Sequence, residues 1–402
     1  MSWAERKINE LGDIVTGKTP STKVLEYFGG EYPFVTPSDI DYGHYYVRIT
    51  EITVTEQAKN KHKNQFIPKD SVLFTCIGNT MGKCAIASQE CISNQQINSV
   101  VANDEHDPKF LYYLLHHNRN LVRGIGMGGG AATPIINKTT FGNIKLKVPT
   151  DKAEQEAISS LLEKYDDLIE NNKRRIELLE ESARQLYREW FVRFRFPGHE
   201  HVKIIDGVPE GWSKGCVSDL GKVVTGKTPS TKVKENFGGE IPFIKTPDMH
   251  ASSIITEPEE YLSERGANCQ ANKYLPKFSI LVACIGARLG VVSLNARRCQ
   301  TNQQINAVIP KSEIYTFYSY LTLKGFREKL LAIGGGATMP NVNKSKFSGM
   351  EVLLPSESLL ESFHDVVDQT FFQMEKLIEM NSKLTQARDL LLPKLMSGEI
   401  AL

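Results

Sequence analysis

The chain has 402 residues, of which 41% are hydrophobic and 24% charged, and its formal net charge is +1. This composition is typical of an ordinary globular protein with enough apolar side chains for several cores. No apolar run approaches the roughly 18 residues of a membrane-spanning helix, and the first residues do not resemble a signal peptide. We therefore expect a cytoplasmic protein without a membrane partner.

Motifs of catalysis or metal binding are missing from the sequence. There is no H-E-x-x-H, no G-x-S-x-G and no paired Cys/His spacing. The seven cysteines form no C-x-x-C and several lie in apolar runs, which predicts reduced core residues. The histidines at 116–117 and 199–201 lack counterparts elsewhere in the chain and are interpreted as surface residues. These features favour a binding protein over an enzyme, with no metal site.

The first motif along the chain is LGDIVTGKTPST at residues 11–22. It matches the nucleotide-binding P-loop pattern G-x-x-x-x-G-K-[ST] through Gly12, Gly17, Lys18 and Thr19. A P-loop, however, needs a full helix after this sequence, whereas here Pro20 follows directly and a double glycine comes soon after. The inner positions are largely β-branched, which suits a strand. We predict a strand that ends in a polar, Lys-bearing turn, and an ATPase is the alternative.

An internal repeat organises the whole chain. LGKVVTGKTPST at residues 220–231 repeats the first motif at an offset of 209, and FGGExPF, CIG, NQQIN and GGGAxxP follow twice in the same order. Offsets drift only from 209 to 206. Such a long period indicates a tandem duplication of a domain-sized unit.

The two copies differ most in one insert each. Residues 38–66 and 248–274 are similar in length and different in content. One scaffold with two inserts is the design expected of a protein that recognises two different things. Neutral drift of surface loops is the alternative.

Both units contain signals for strands and helices. Short apolar runs bounded by glycine or proline, at 70–78, 142–149, 278–286 and 349–355, predict strands. Residues 108–122 predict a helical segment. We therefore predict a mixed α/β (α+β) fold for each globular part.

A heptad seam then predicts a helix of about 45 residues from residue 151. Its apolar positions alternate steps of four and three, through Ile158, Leu162, Tyr165, Ile169, Asn172, Ile176, Leu179, Ala183, Leu186 and Trp190. The second copy repeats the seam with Val367, Phe371, Met374, Ile378 and Asn381. We predict that the two helices pair, with Asn172 and Asn381 holding the register. The alternative is that each helix packs on its own globular part. The predicted segments are 1–150, 151–210, 211–355 and 356–402.

Charge is segregated between these segments. The globular segments hold nine more Lys and Arg than Asp and Glu, and the helical segments hold eight fewer. Basic globular parts suit a phosphate-bearing partner, and Lys, Arg, Asn and Gln can also recognise base edges. Candidate DNA-contacting residues are Lys18, Thr19, Ser21, Thr22, Lys23, Lys59, Lys61, Lys63, Asn64, Asn79, Lys83 and Lys138 in the first unit, and Lys227, Thr228, Ser230, Thr231, Lys232, Lys245, Arg288, Arg297, Arg298 and Lys344 in the second. The Gly-rich stretches at 126–134 and 332–340 would let backbone approach phosphates, or form surface turns.

The order of these motifs resembles the specificity (S) subunit of type I restriction–modification systems. The resemblance covers essentially the whole chain and implies two target recognition domains, each recognising one half of a bipartite DNA sequence. It implies that the helices form an antiparallel coiled coil which sets the spacing, and that two methyltransferase subunits and restriction subunits assemble with the chain. S-adenosylmethionine, ATP and Mg²⁺ are then expected in those partners, with no cofactor on this chain. A coiled-coil adaptor without DNA binding is a further alternative.

Overall fold

The computed structural model describes residues 2–40, 45–128, 133–250, 252–335 and 340–402. The chain forms two compact units. The first unit contains Met1–Asn171 and Asn381–Leu402, and the second contains Asn172–Met380. The bounds of the four predicted segments are not tested by this division and stay a prediction.

The first unit is built on a five-stranded sheet and a smaller four-stranded sheet. The large sheet has the spatial order Gly12–Thr16, Ile97–Ala102, Val72–Thr75, Cys84–Ala87 and Tyr46–Val47, and only its last pair is parallel. The smaller sheet has the order Ile52–Val54, Phe28–Val35, Cys91–Ser93 and Phe66–Ile67. Trp3–Lys7 pairs with Lys145–Pro149. The helices are Ile8–Leu11, Glu56–Lys61, Pro108–His117, Arg119–Met127 and Lys138–Gly142, with 3-10 turns at Leu25–Tyr27 and Lys63–Gln65.

The second unit repeats this architecture. Its five-stranded sheet has the order Gly221–Thr225, Ile305–Pro310, Ile280–Ala283, Val292–Asn295 and Ile254–Ile255, and its three-stranded sheet has the order Tyr261–Leu262, Phe237–Ile244 and Gln300–Thr301. Ser213–Cys216 pairs with Glu351–Leu354, and Ile204–Ile205 with Val208–Pro209. The helices are Val217–Leu220, Glu264–Asn268, Thr316–Lys324, Arg327–Gly334 and Lys344–Ser348, with 3-10 turns at His199–His201, Lys234–Asn236, Asp248–His250, Ala271–Lys273 and Glu313–Tyr315.

The strand registers show which positions of the two units are equivalent. Val54 pairs with Phe28 and Tyr32 across a bulge, as Leu262 pairs with Phe237 and Ile241. In the same way, Ile67 pairs with Cys91 where Leu275 pairs with Cys299. The predicted mixed α/β fold with two similar globular parts is confirmed.

Two long helices are present where the heptad seams predicted them. The first is Lys152–Tyr187, which continues as a π-helical turn over Arg188–Val192, and the second is Glu357–Met396. Apolar residues at the seam positions are largely buried because they contribute to the cores of the units. The helix prediction is confirmed.

Within the first unit, segments of both long helices share a core. Ile158 and Leu162 lie in one apolar cluster with Leu392 and Leu395 and with Phe110 of a globular helix. The side-chain amide of Asn381 also donates to the Ile169 carbonyl at 3.3 Å.

Within the second unit, seam residues pack on the globular part. Phe371 and Met374 lie in a cluster with Phe317, and Ile176 and Leu179 pack against the same cluster. Segments of the two helices therefore share a core in the first unit, and seam residues pack on the globular core in the second. Pairing along the full length of the helices stays a prediction, as does the register role of Asn172, which is buried, and of Asn381.

None of the helices in the described part of the chain combines the length and the apolarity that crossing a membrane requires. Five of the cysteines are buried, as predicted, whereas Cys216 is half-buried and Cys269 is exposed. Burial raises the pKa of the Cys91 and Cys299 thiols to about 12, so these thiols stay protonated and are poor nucleophiles.

Candidate nucleic-acid interface

The TGKTPST motif of the first unit is a strand followed by a turn. The strand Gly12–Thr16 ends, and the Gly17 amide then donates to the Ile97 carbonyl at 3.1 Å. A Cβ on Gly17 would lie 2.2 Å from the Asn94 carbonyl oxygen, so only glycine fits this close approach. A single 3-10 turn and the strand Phe28–Val35 follow. A helix does not follow, so the P-loop context is not met and the predicted strand and turn are confirmed.

The second copy has the same geometry. The Gly226 amide donates to the Ile305 carbonyl at 3.0 Å, and the Lys227 amide donates to the Thr301 carbonyl at 2.9 Å. The next elements are again a 3-10 turn and the strand Phe237–Ile244.

A glutamine of the repeated NQQIN motif accepts a hydrogen bond from each turn. The Thr19 hydroxyl donates to the Gln95 carbonyl oxygen at 2.9 Å, and the Thr228 hydroxyl donates to that of Gln303 at 2.7 Å. This support explains why the motif is identical in both units, and the two glutamines were not among the predicted site residues. The repeat itself was the signal that could have identified them.

The supported turns present polar side chains to solvent. Thr19 and Thr228 are half-buried, and the other predicted residues of the two turns are exposed, namely Lys18, Ser21, Thr22, Lys23, Lys227, Ser230, Thr231 and Lys232. Because their ammonium and hydroxyl groups face water, these residues can contact phosphate oxygens.

Two further motifs converge beside the NQQIN turn. The Cys76 amide donates to the Gln96 carbonyl, and the Gly78 amide donates to the Pro134 carbonyl. Asn137 caps the short helix that Lys138 begins, as Asn343 caps the helix that begins at Lys344. Both lysines and Asn79 are exposed. Parts of the Gly-rich stretches, residues 129–132 and 336–339, lie outside the described residues.

Some predicted cations already have partners within the protein. The ammonium of Lys59 contacts the Glu90 carboxylate at 2.6 Å, and that of Lys245 contacts Glu260 at 2.8 Å. The Lys83 ammonium donates to the Pro37 carbonyl at 3.0 Å. These cations are less available to an external partner than the exposed lysines of the turns.

The remaining predicted residues lie in or beside the inserts. Lys61, Lys63 and Asn64 are exposed around the short helix of the first insert. In the second unit Arg297 contacts Glu257 at 3.3 Å, and the guanidinium of Arg298 lies 3.7 Å from the centroid of the Tyr274 ring. Arg288 is half-buried, and its buried Nη1 has no hydrogen-bond partner among the described residues.

His116 and His117, both predicted to be surface residues, differ in their exposure to solvent. His117 is exposed, whereas His116 is half-buried and accepts a hydrogen bond from Arg119 at 2.7 Å. Burial, and then the nearby guanidinium, lowers the pKa of His116 to about 3, so this imidazole is a neutral structural acceptor. Among the described residues no group of three His, Cys, Asp or Glu side chains is placed to hold a metal ion.

Comparison with known proteins identifies the family. The family model described as "Type I restriction modification DNA specificity domain" matches residues 1–181 and 209–369. The chain belongs to the type I restriction–modification specificity family. The two matches correspond to the two copies of the repeat.

Relatives of known name support this membership of the specificity family. The HindI specificity subunit of Haemophilus influenzae is 34% identical over 73% of this chain and 77% of its own length. The MjaIX specificity subunit of Methanocaldococcus jannaschii is 28% identical over 99% of this chain and 93% of its own length. The crystal structure of the S subunit from M. genitalium shares the fold at a TM-score of 0.61 and 18% identity, covering 98% of this chain and 96% of that one.

Removing the lysines of both turns tests their role in this specificity subunit. Lys18→Ala with Lys227→Ala should weaken DNA binding by the assembled complex and lower the salt slope of log K by about one unit per lost phosphate contact. ATP hydrolysis by the complex at saturating DNA should remain unchanged. The measurement is a salt titration of DNA affinity, and Lys222→Ala, an exposed lysine within the preceding strand, is the control. Micromolar ATP binding by the isolated chain that disappears in the double variant would contradict the turn interpretation.

Proposed function

We propose that this chain is the DNA sequence-recognition subunit of a type I restriction–modification complex, in which each unit recognises one half of a bipartite target. The observation that carries the proposal is one scaffold present twice with the same Lys-bearing turn and a different insert. Contacts to phosphate position a protein on DNA and carry no sequence information, so the same residues can serve both units. Contacts to base edges carry the sequence and must differ, as the inserts do.

The residues divide accordingly into two roles. The exposed lysines and hydroxyls of the two turns, with Lys138 and Lys344, are the proposed phosphate contacts. The proposed base contacts lie in the inserts and in the segment around Arg298. The chain itself is proposed to be non-catalytic and to bind no cofactor.

The chemistry belongs to the proposed partners. Two methyltransferase subunits would supply S-adenosylmethionine chemistry, and restriction subunits would use ATP and Mg²⁺. The names of the relatives, which are specificity subunits of restriction enzymes, support this assignment.

Exchange of one insert tests the proposal. Replacing residues 38–66 with the corresponding segment of a homologue should change one half of the methylated target and leave the other half unchanged, because each unit has its own core. The measurement is genome-wide mapping of methylated adenines in a host that co-expresses the methyltransferase subunit. The matched control is the same exchange at residues 248–274, which should change the opposite half. A change in both halves after either exchange would mean that the units do not recognise DNA independently.

We further propose that the long helices set the spacing of the half-sites. A heptad inserted after Asn171 in the first helix, with another before Asn381 in the second, preserves the phase of the apolar positions and adds about 10 Å to each helix. The preferred spacer should lengthen by about three base pairs at 3.4 Å each. Two inserted residues at the same places would rotate the apolar face by about 200° and should abolish assembly. Unchanged spacer length in the heptad variant, measured by methylation mapping, would show that the spacing is set elsewhere.

A further inference from the structure

The two units carry opposite charges at one equivalent position next to the inserts. The strand registers make Cys91 and Cys299 equivalent, so the residues that precede them, Glu90 and Arg298, are equivalent as well. A carboxylate therefore stands in the first unit where a guanidinium stands in the second.

The short helix beside this position also differs between the units. Thr55 caps the helix Glu56–Lys61, and Ser263 caps the helix Glu264–Asn268 with the same hydrogen-bond pattern. This equivalence aligns Lys59 with Ala267, so the second unit has lost the amine that faces the carboxylate in the first.

In the first unit the position is closed by internal contacts. The Lys59 ammonium contacts Glu90 at 2.6 Å and lies 4.6 Å from the centroid of the Tyr32 ring. It also donates to the Tyr32 hydroxyl, which in turn donates to Glu56 at 2.5 Å. The cation and the carboxylate thus satisfy each other within the protein.

In the second unit the position is open. Ala267 is buried and offers no amine, and the exposed guanidinium of Arg298 lies on the Tyr274 ring. Within the described residues Arg298 forms no hydrogen bond or ion pair. It borders a groove of about 480 Å³ that is also lined by Glu240, Glu264, Asn268 and Arg297.

The groove is joined to the Lys-bearing turn of its own unit. Gln270, which follows the short helix, donates to the Lys227 carbonyl at 2.6 Å. Asn236 donates to the Ser230 carbonyl at 3.0 Å, and a Cβ on Gly266 of the short helix would meet the Asn236 carbonyl at 2.1 Å. A DNA backbone held at the turn would therefore run close to the groove.

The chemistry of the groove favours a base over a phosphate. Stacking on an aromatic ring holds the plane of a guanidinium and leaves its N–H fork free, which matches the O6 and N7 acceptors of guanine. Glu240 and Glu264 line the same groove and offset the charges of Arg297 and Arg298, so the groove lacks the positive excess that would attract a phosphate.

We infer that Arg298, held by Tyr274, recognises a guanine in the half-site of the second unit, and that the Lys59–Glu90 pair removes this contact from the first unit. The inference rests on the proposed function and adds a specificity-determining residue to it. Tyr274 is a positioning residue, because it acts through Arg298.

The experiment compares Arg298→Glu, which copies the residue of the first unit, with Arg298→Lys, which keeps the charge but lacks the planar fork. Each variant is co-expressed with the methyltransferase subunit in a host without DNA methylation, and methylated adenines are mapped. Duplexes with single base-pair changes in each half-site are then methylated in vitro. The control is Arg265→Glu. Arg265 is an exposed arginine on the short helix Glu264–Asn268, and its side chain does not line the groove.

We expect Arg298→Glu to lose the requirement for guanine at one position of one half-site, with methylation of the original target reduced roughly ten- to hundred-fold. Arg298→Lys should keep a weaker preference for guanine at that position, because an ammonium can still donate to O6 and N7 but lacks the planar fork. The other half-site and the Arg265→Glu control should keep the original sequence preference. Arg298→Lys keeps the test informative even if Arg298→Glu fails to fold.

Three outcomes would overturn the inference. The first is a uniform loss of affinity for all sequences in Arg298→Glu with a lower salt slope and no change in base preference, because this indicates a phosphate contact. The second is no change in either variant, and the third is a change in the other half-site. Absence of any bipartite target for the unaltered complex would instead contradict the proposed function.

Discussion

Asp166→Ala should destabilise the first unit by about 3–5 kcal/mol, because it leaves a buried guanidinium without its main counter-charge. The Asp166 carboxylate contacts the guanidinium of Arg388, and the two side chains are 1% and 6% exposed. The hydroxyl of Tyr113 donates to the same carboxylate at 2.5 Å. The other carboxylate that contacts Arg388 within the described ranges is that of Asp389 at 2.8 Å, which is 52% exposed and therefore screened by solvent.

The measurement is amide hydrogen exchange resolved by unit, because a chain with two cores need not unfold in one step. Protection should fall in the first unit. Asp167→Ala is the matched control, since Asp167 is the exposed neighbour on the same helix. Replacing both partners together, as Asp166→Leu with Arg388→Met, should restore much of the stability, because no charge is left buried. Equal effects of Asp166→Ala and Asp167→Ala would contradict this account.

Phe371→Ala should destabilise the second unit by about 3–5 kcal/mol, the range for truncating a buried phenylalanine. Phe371 is fully buried, and its ring stacks on Phe317 with centroids 4.1 Å apart and meets the edge of Tyr320 at 5.6 Å. The substitution leaves a cavity between the second long helix and the globular helix Thr316–Lys324, and a close-packed core cannot fill it without strain.

The neighbouring residue provides the control for this prediction. Phe372 is 48% exposed, so Phe372→Ala removes the same atoms and should have a small effect. Hydrogen exchange should lose protection in the second unit after Phe371→Ala only. A similar loss in both variants would mean that the seam residue is not held by the globular core.

Much of the architecture could be predicted because its signals are local or repeated. The helix periodicity placed both long helices within a few residues. The short distance from Thr19 and Thr228 to the next glycines argued against a P-loop, and the strand and turn of the structure then decided the question. The role of Gln95 and Gln303 was not predicted, because the repeat marks the two glutamines as shared but does not show that each bonds to a threonine about 76 residues away.

The candidate site was predicted less completely than the fold. The exposed lysines of the turns follow from turn chemistry, which keeps polar side chains in water. The sequence grouped Lys59 with those lysines. Only the structure showed its ion pair with Glu90, because folding brings the helix Glu56–Lys61 next to the start of the strand Cys91–Ser93.

The sequence by itself determined the duplication, the mixed α/β units, the long helices and the family. Each of these is indicated by a periodic pattern of residues or by motifs that occur in a fixed order. The tertiary structure decided which charges are satisfied internally and which face outward. Arg388 and Arg298 are both arginines with no distinguishing sequence context, yet one is buried against Asp166 and the other lies exposed on Tyr274. The physical reason is that the electrostatic environment of a side chain depends on neighbours that folding brings close. The periodicity of apolar residues indicates only whether the side chain lies in a helix or a strand.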